Sequence, residues 1–243
     1  MRFEWSTIGS GRTRPAGWSC LRAPELEKAG ISHGFMTRPS DSILRDAGRR
    51  AAFIAALSAK DMVVLDQVHG DLVQVIASNE RPRTGDGLVL LEPGVIGAVK
   101  TADCVPVILY SLKYPAAAVV HAGWRGTARQ IGRKAVAAIV RMGVEADSIG
   151  ALIGPCIGPC CYSVGEDVAA SFRDSGIGDE VFARREGVLF LDLKKANRLI
   201  LMAEGVRKID DSDLCTSCRN DLFFSARREG SSGRQLTFAL IKA

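Results

Sequence analysis

The chain has 243 residues, of which 47% are hydrophobic, 24% charged and 6% aromatic, a composition that excludes disordered, collagen-like and coiled-coil proteins. The net charge of +5 originates in the first 60 residues, where ten basic side chains face five acidic ones. Without runs of like charge or interleaved aromatics, this excess does not indicate nucleic acid. No apolar stretch is long enough for a membrane helix and the opening MRFEWSTIGSGRTRP lacks a signal-peptide core, so the expectation is a cytoplasmic protein with no membrane partner.

Residues 1–30 are poorly patterned, and irregular structure is expected up to residue 39 except for a short strand at 31–36. SerAspSer at 40–42 is positioned to cap a helix through Leu44, Ala47, Ala51, Ile54 and Leu57. Runs at 63–68 and 72–76 flank Gly70 and read as a hairpin, followed by strands at 87–91, 95–100, 105–112 and 116–120. Several are apolar throughout, as in strands covered on both faces. Ile131, Ala135, Ala138 and Ile139 predict one helix over 123–142, stopped by Gly143. A strand at 151–157, helices at 166–172 and 192–204, and a closing strand at 236–241 complete the order. No linker or repeat divides the chain, which predicts one α/β domain of mixed α+β type over 1–243.

The chain has three His and seven Cys, and the odd number with adjacent Cys160 and Cys161 argues for thiols rather than a disulfide framework. His69 ends VVLDQVH, His121 ends AAAVVH, and Cys104 lies between them in KTADCVPVILY. Two imidazoles and a thiolate suit a catalytic zinc with an open fourth position, although their spacing matches no compact motif and a satisfied His beside a buried free Cys is the competing reading. The turn in HAGWRGTARQ combines a predicted helix start with Arg125, which suits an anion or equally a solvated turn. Asp86 and Asp103 are candidates for proton transfer or for orienting a metal-bound His. Arg227 and Arg228 follow two Phe and are candidate ligand contacts. Cys156, Cys160, Cys161, Cys215 and Cys218 offer a structural zinc set, but only CTSC has ligand spacing, so these thiols are expected to build rigid turns and carry no metal.

Taken together, DQVHGDLV, GDGLV, TADCVPVILY, VVHAGWRGTARQI, IGPCIGPCCYSVGEDV and DLCTSCRNDLFFSARREGSSGRQ resemble the YfiH-like laccase-domain family, the multicopper polyphenol oxidoreductase or purine nucleoside phosphorylase family. The resemblance runs from about Gly34 to the C terminus. It implies a single domain of folded mixed β-sheets flanked by helices, with metal ligands at His69, Cys104 and His121. It further implies Zn2+, with Cu2+ as the second candidate, and purine nucleosides and phosphate as partners of a monomer or small homo-oligomer. The implied reactions are phosphorolysis of adenosine, inosine, guanosine and methylthioadenosine, together with adenosine deamination. Asp86, Asp103 and Arg125 are the expected catalytic residues, and Arg38, Gln67, Arg125, Arg227 and Arg228 the expected substrate contacts. TRPSDS departs from the family pattern near Arg38, as do Ser163, where a Glu is common, and Ala226, where a Tyr is common. Alternatives are a zinc amidase acting on nucleotide-linked peptidoglycan precursors, a copper polyphenol oxidase and a metal-binding scaffold.

Overall fold

In the computed structural model, which describes residues 2–9, 17–76, 83–230 and 233–243, fifteen strands form three sheets. In chain order they are β1 Glu4–Ile8, β2 Trp18–Arg22, β3 Ile31–Met36, β4 Asp61–Val64, β5 Val73–Ile76, β6 Gly87–Leu90, β7 Val95–Thr101, β8 Val105–Ser111, β9 Ala116–Ala122, β10 Ile149–Ile153, β11 Ser163–Val164, β12 Phe182–Arg185, β13 Val188–Leu191, β14 Lys208–Asp211 and β15 Gln235–Ile241. One six-stranded sheet has the order β1-β2-β3-β15-β7-β4, the other β14-β10-β8-β9-β6-β5, and β11-β13-β12 form a small third sheet. Both large sheets are mixed: β4–β7, β5–β6 and β10–β14 are parallel pairs, and the remaining pairs are antiparallel.

The two-residue period explains the layers. In β9, Ala117 and Val119 join a core with Phe35, Leu88, Leu90, Val99 and Ile108, which come from both large sheets. Ala116, Ala118, Val120 and Ala122 of the same strand turn to the opposite core, beneath Ile131, Ala135 and Ile139 of one helix and Leu193, Ala196 and Ile200 of another. In β15, Ala239 and Ile241 join the first of these cores, whereas Phe238 and Leu240 pack with Phe53 of the Ala47–Ala56 helix. The central strands therefore bury both faces, which is why they carry continuous apolar runs. No helix among the described residues is long and apolar enough to cross a membrane.

Four expectations are corrected. The segment before residue 31, read as irregular, contains the antiparallel pair β1–β2 and a Pro24–Lys28 helix, although residues 10–16 of it lie outside the described set. The helix expected after residue 40 is two, Asp41–Arg45 and Ala47–Ala56. Asp46 is extended between them and accepts the amide of Arg49 as a fresh N-cap. The expected hairpin around Gly70 does not exist: β4 pairs with β7 in one sheet and β5 with β6 in the other, so the segment between them passes from sheet to sheet. The helix expected over 123–142 is also two, Trp124–Ala128 and Ile131–Val140. Gln130 breaks it with φ 58°, and its side-chain amide donates to Ser175 O at 2.8 Å.

His33, in the middle of β3, has no solvent exposure. Its Nδ1 lies 3.2 Å from Ile31 O, and its Nε2 accepts the Ala23 amide at 2.9 Å, which requires a neutral ring. Burial pushes this imidazole down to about 4. Because the unfolded chain takes up a proton near pH 6.5 and the folded chain does not, stability from this group is complete above that pH. It is lost as pH falls toward 4, by about 3 kcal/mol in all. Urea unfolding between pH 7 and 4 should show a shallower pH slope for His33→Gln than for the parent chain, and parallel slopes would remove His33 from this account.

Candidate metal centre and active-site cavity

His69, Cys104 and His121 converge from three chain segments. His121 is fixed near the end of β9, Cys104 immediately precedes β8, and His69 lies on the crossing between β4 and β5. Their ligand atoms all lie within 4.8 Å of one another, and the two rings meet edge to face at 4.9 Å and 86°. The backbone is unusual here, since His69 has φ 56° and Asp103 φ 84°. Non-glycine residues in this region are sparse and concentrate at functional sites.

Asp86, fully buried just before β6, organises this geometry. Its Oδ1 accepts the His69 amide at 3.1 Å and its Oδ2 the amides of Gly70 at 2.8 Å and Val68 at 3.3 Å. His121 Nδ1 lies 2.8 Å from Oδ1, and the His121 amide donates to Asp86 O at 2.7 Å. The carboxylate thus fixes the loop carrying one imidazole and the ring orientation of the other, leaving His121 Nε2 for the donor set. Burial opposes ionisation of Asp86, but the His121 ring and the Gly70 amide more than offset it and hold the carboxyl below its ordinary value. Burial likewise opposes charge on Cys104 and on His121. Hydrogen bonding among Cys104, His69, His121 and Asp86 overrides it, pulling the thiol down and pushing the His121 imidazole up. A thiolate already favoured by its neighbours is a prepared metal ligand.

Two close approaches depend on glycine. A Cβ on Gly123 would stand 3.0 Å from Cys104 Sγ, and one on Gly126 would stand 2.7 Å from Gly70 O. The Trp124–Ala128 helix is therefore pressed against the loop that carries His69. Gly126→Ala must displace one of them, with an expected loss of metal affinity of roughly 10- to 100-fold in a folded protein. Competition with a chromophoric chelator would measure it, and unchanged affinity would show that the contact is only packing.

The donors open on a cavity of about 560 Å³ lined also by Gln67, Lys100, Asp103, Trp124, Arg125, Tyr162, Arg227 and Arg234. Arg125 is exposed, with its guanidinium 4.5 Å from the Trp124 ring, and that of Arg227 is 5.1 Å from the Tyr162 ring. Arg227 also donates to Ser163 O and Oγ at 2.9 Å. Both oxygens of Asp103 are engaged, Oδ1 by Thr216 Oγ1 and Oδ2 by the Arg227 amide, each at 2.7 Å. Gln67 lines the cavity while exchanging two hydrogen bonds with the Lys100 backbone. Arg38 and Arg228 lie outside the lining. Arg38 binds Asn220 O, Phe223 O and Glu229 and covers the Phe224 ring, whereas Arg228 donates to Ser217 O. A larger concavity of about 680 Å³ around Leu72, Arg129 and Lys134 brings together neither His, Cys nor aromatic residues.

The sequence reading omitted Lys100, Trp124, Tyr162 and Arg234. All four stand inside the quoted motifs, in KTADC, GWRG, CCYS and SSGRQ; for the first three, adjacency to a candidate ligand or cation was an available signal, whereas Arg234 adjoins neither. Four of the five thiols expected only to build rigid turns, Cys160, Cys161, Cys215 and Cys218, are brought together, with their sulfurs within 4.8 Å of one another.

Two mixed sheets that deliver two imidazoles and a thiolate to a cationic cavity define a mixed α/β protein with a candidate single-ion metal site. The chain belongs to the multi-copper polyphenol oxidoreductase laccase family, whose profile matches residues 32–242. It is 39% identical over 239 residues to a purine nucleoside phosphorylase of Deinococcus radiodurans, covering 90% of this chain and 91% of the relative. It is 36% identical over 217 residues to adenosine deaminase RL5 of an unknown prokaryotic organism, covering 81% and 82%. The crystal structure of YlmD from Geobacillus stearothermophilus superposes with a TM-score of 0.83 at 33% identity, covering 98% of this chain and all of that one.

Proposed function

We propose that the protein is a zinc-dependent purine nucleoside enzyme that cleaves adenosine, inosine, guanosine and methylthioadenosine with phosphate and also deaminates adenosine. The observation that carries this reading is one cavity joining a two-His, one-Cys donor set to four cations and two aromatic rings. Relatives named as purine nucleoside phosphorylases and an adenosine deaminase support it.

The donor set fits one tetrahedral ion held by His69, Cys104 and His121, with a fourth position for water or substrate. When bound, zinc supplies a Lewis acid and lowers the pKa of coordinated water. Copper as a multicopper centre fits poorly, because the third His of the chain, His33, is buried in β3 with both ring nitrogens engaged. Trp124 and Tyr162 offer faces to a purine, and Arg125, Arg227 and Lys100 neutralise phosphate. Asp86 is assigned to orienting His121 and the His69 loop, and Asp103 to holding the Arg227 backbone and Thr216 rather than to moving protons. Gln67 secures the His69 loop against Lys100, while Arg38 and Arg228 brace the segment that delivers Arg227.

Purified protein incubated with adenosine should give adenine and ribose 1-phosphate only when phosphate is present, and inosine with or without it. Absence of all three products from metal-replete protein would reject the assignment. Release of an amino acid or peptide from a nucleotide-linked muropeptide would redirect it to the amidase reading.

A further inference from the structure

We propose that Cys160, Cys161, Cys215 and Cys218 form a second, structural zinc site, separate from the His69–Cys104–His121 centre. All four sulfurs lie within 4.8 Å of one another, and Cys218 Sγ is 3.6 Å from Cys160 Sγ and 3.5 Å from Cys161 Sγ. With Zn–S bonds of about 2.3 Å, a tetrahedral site has S···S edges of roughly 3.8 Å, so the thiols stand near the separations an ion would impose. A disulfide requires sulfurs at about 2.05 Å, well short of the 3.5 and 3.6 Å separations here.

The backbone builds the site from two loops. The turn at 158–162 is closed by the amides of Cys161 and Tyr162, both donating to Gly158 O at 3.0 and 3.1 Å, and it presents the vicinal thiols. The CTSC turn is closed by the Arg219 amide on Cys215 O at 2.9 Å. The loops are aligned by a parallel bridge between Cys156 and Cys215, with the Thr216 amide donating to Cys156 O at 3.0 Å. Cys215 Sγ accepts the Gly158 amide at 3.2 Å, the kind of backbone N–H donation that stabilises a thiolate ligand. Cys156 is fully buried with its sulfur outside the set, and burial pushes its thiol up to about 12, so it stays a packing residue. Cys160 and Cys218 reach the surface, which gives an ion access.

Binding exchanges thiol protons for the metal and releases them to solvent. The ion would clamp the 158–162 turn to the 215–218 turn, which carries Thr216 on Asp103 and Ser217 O on Arg228. The sulfur-only ligand set has no position left for substrate, so its role is structural.

Elemental analysis of protein purified with zinc under reducing conditions should give about two ions per chain. Cys218→Ser should lower this to about one and keep the first centre, and Cys104→Ser should lower it to about one and keep the second. The pair of variants separates failure of this site from failure of the catalytic one. Cobalt-loaded Cys104→Ser should retain strong thiolate-to-cobalt charge-transfer absorption, which Cys218→Ser loses in greater part. Should Cys218→Ser not fold, thiol titration of the native parent chain decides the matter: Cys160 and Cys218 should be protected until a chelator is added. Free reaction of both surface thiols in zinc-replete protein, a zinc content unchanged by Cys160→Ser or Cys218→Ser, or recovery of a Cys160–Cys218 or Cys161–Cys218 disulfide without zinc would each overturn the proposal.

Discussion

His69→Ala and Cys104→Ala should abolish metal binding at the cavity and reduce both phosphorolysis and deamination by about a thousandfold or more, the effect of losing a Lewis acid that contributes several kcal/mol. The two variants should keep the fold, because His69 is exposed on a crossing loop and Cys104 is half-buried before β8, and an open three-donor site contributes less to folding than a closed one. His121→Ala should behave differently. It removes the ring partner of a fully buried Asp86 and leaves that carboxylate with amide donors alone, so metal loss should come with destabilisation of about 3 kcal/mol or more. Metal analysis, steady-state kinetics and urea unfolding of the three proteins would separate these effects. Full activity in metal-free His69→Ala would remove the ion from the mechanism, and equal stability losses in all three would mean that the His121 ring does not stabilise the buried Asp86 carboxylate.

The same contrast explains which parts of the molecule were legible in the sequence. Strand β10, expected over 151–157, lies at Ile149–Ile153 and stops before Gly154 and Pro155, whereas strands β6 to β9 announced themselves because both faces are buried, so long apolar runs between turns had one reading. The crossing at residues 65–72 did not, because two short apolar runs around a Gly are compatible with a local hairpin, and the parallel partners β7 and β6 that each run selects are distant in the chain. The helix breaks at Asp46 and Gln130 were hidden for a similar reason. Helical periodicity continued through them, and only the cap on Arg49 and the tie to Ser175 decided the local geometry. His69, Cys104 and His121 were suggested by strand ends and raised to a metal set by family motifs, since their spacing alone fits nothing compact. Asp86 was named, but its five contacts with residues 68–70 and 121 belong to tertiary structure. The cysteine cluster was set aside because its two pairs are far apart in sequence, a distance that the Cys156–Cys215 bridge cancels.

Arg125→Ala should weaken use of phosphate by roughly tenfold to a hundredfold while sparing deamination, since a charge-assisted contact to an ion contributes about 1.5 to 3 kcal/mol and water replaces phosphate in the second reaction. No long helix points its N-terminus at this cavity, because the Trp124–Ala128 helix has five residues and Gly126 packs against Gly70. The guanidinium itself carries the prediction. It lines the cavity, is exposed, and is held over the Trp124 ring, whereas Arg227 is tied to Ser163. Arg125→Lys should restore little, because an ammonium cannot grip two phosphate oxygens as a fork or stack on an indole in the same way. Initial rates over a phosphate titration at saturating adenosine, with inosine formation followed in parallel, give both readouts from one protein. Equal depression of the two reactions would make Arg125 a purine contact through Trp124, and an unchanged phosphate KM would shift the anion to Lys100, Arg227 and Arg234.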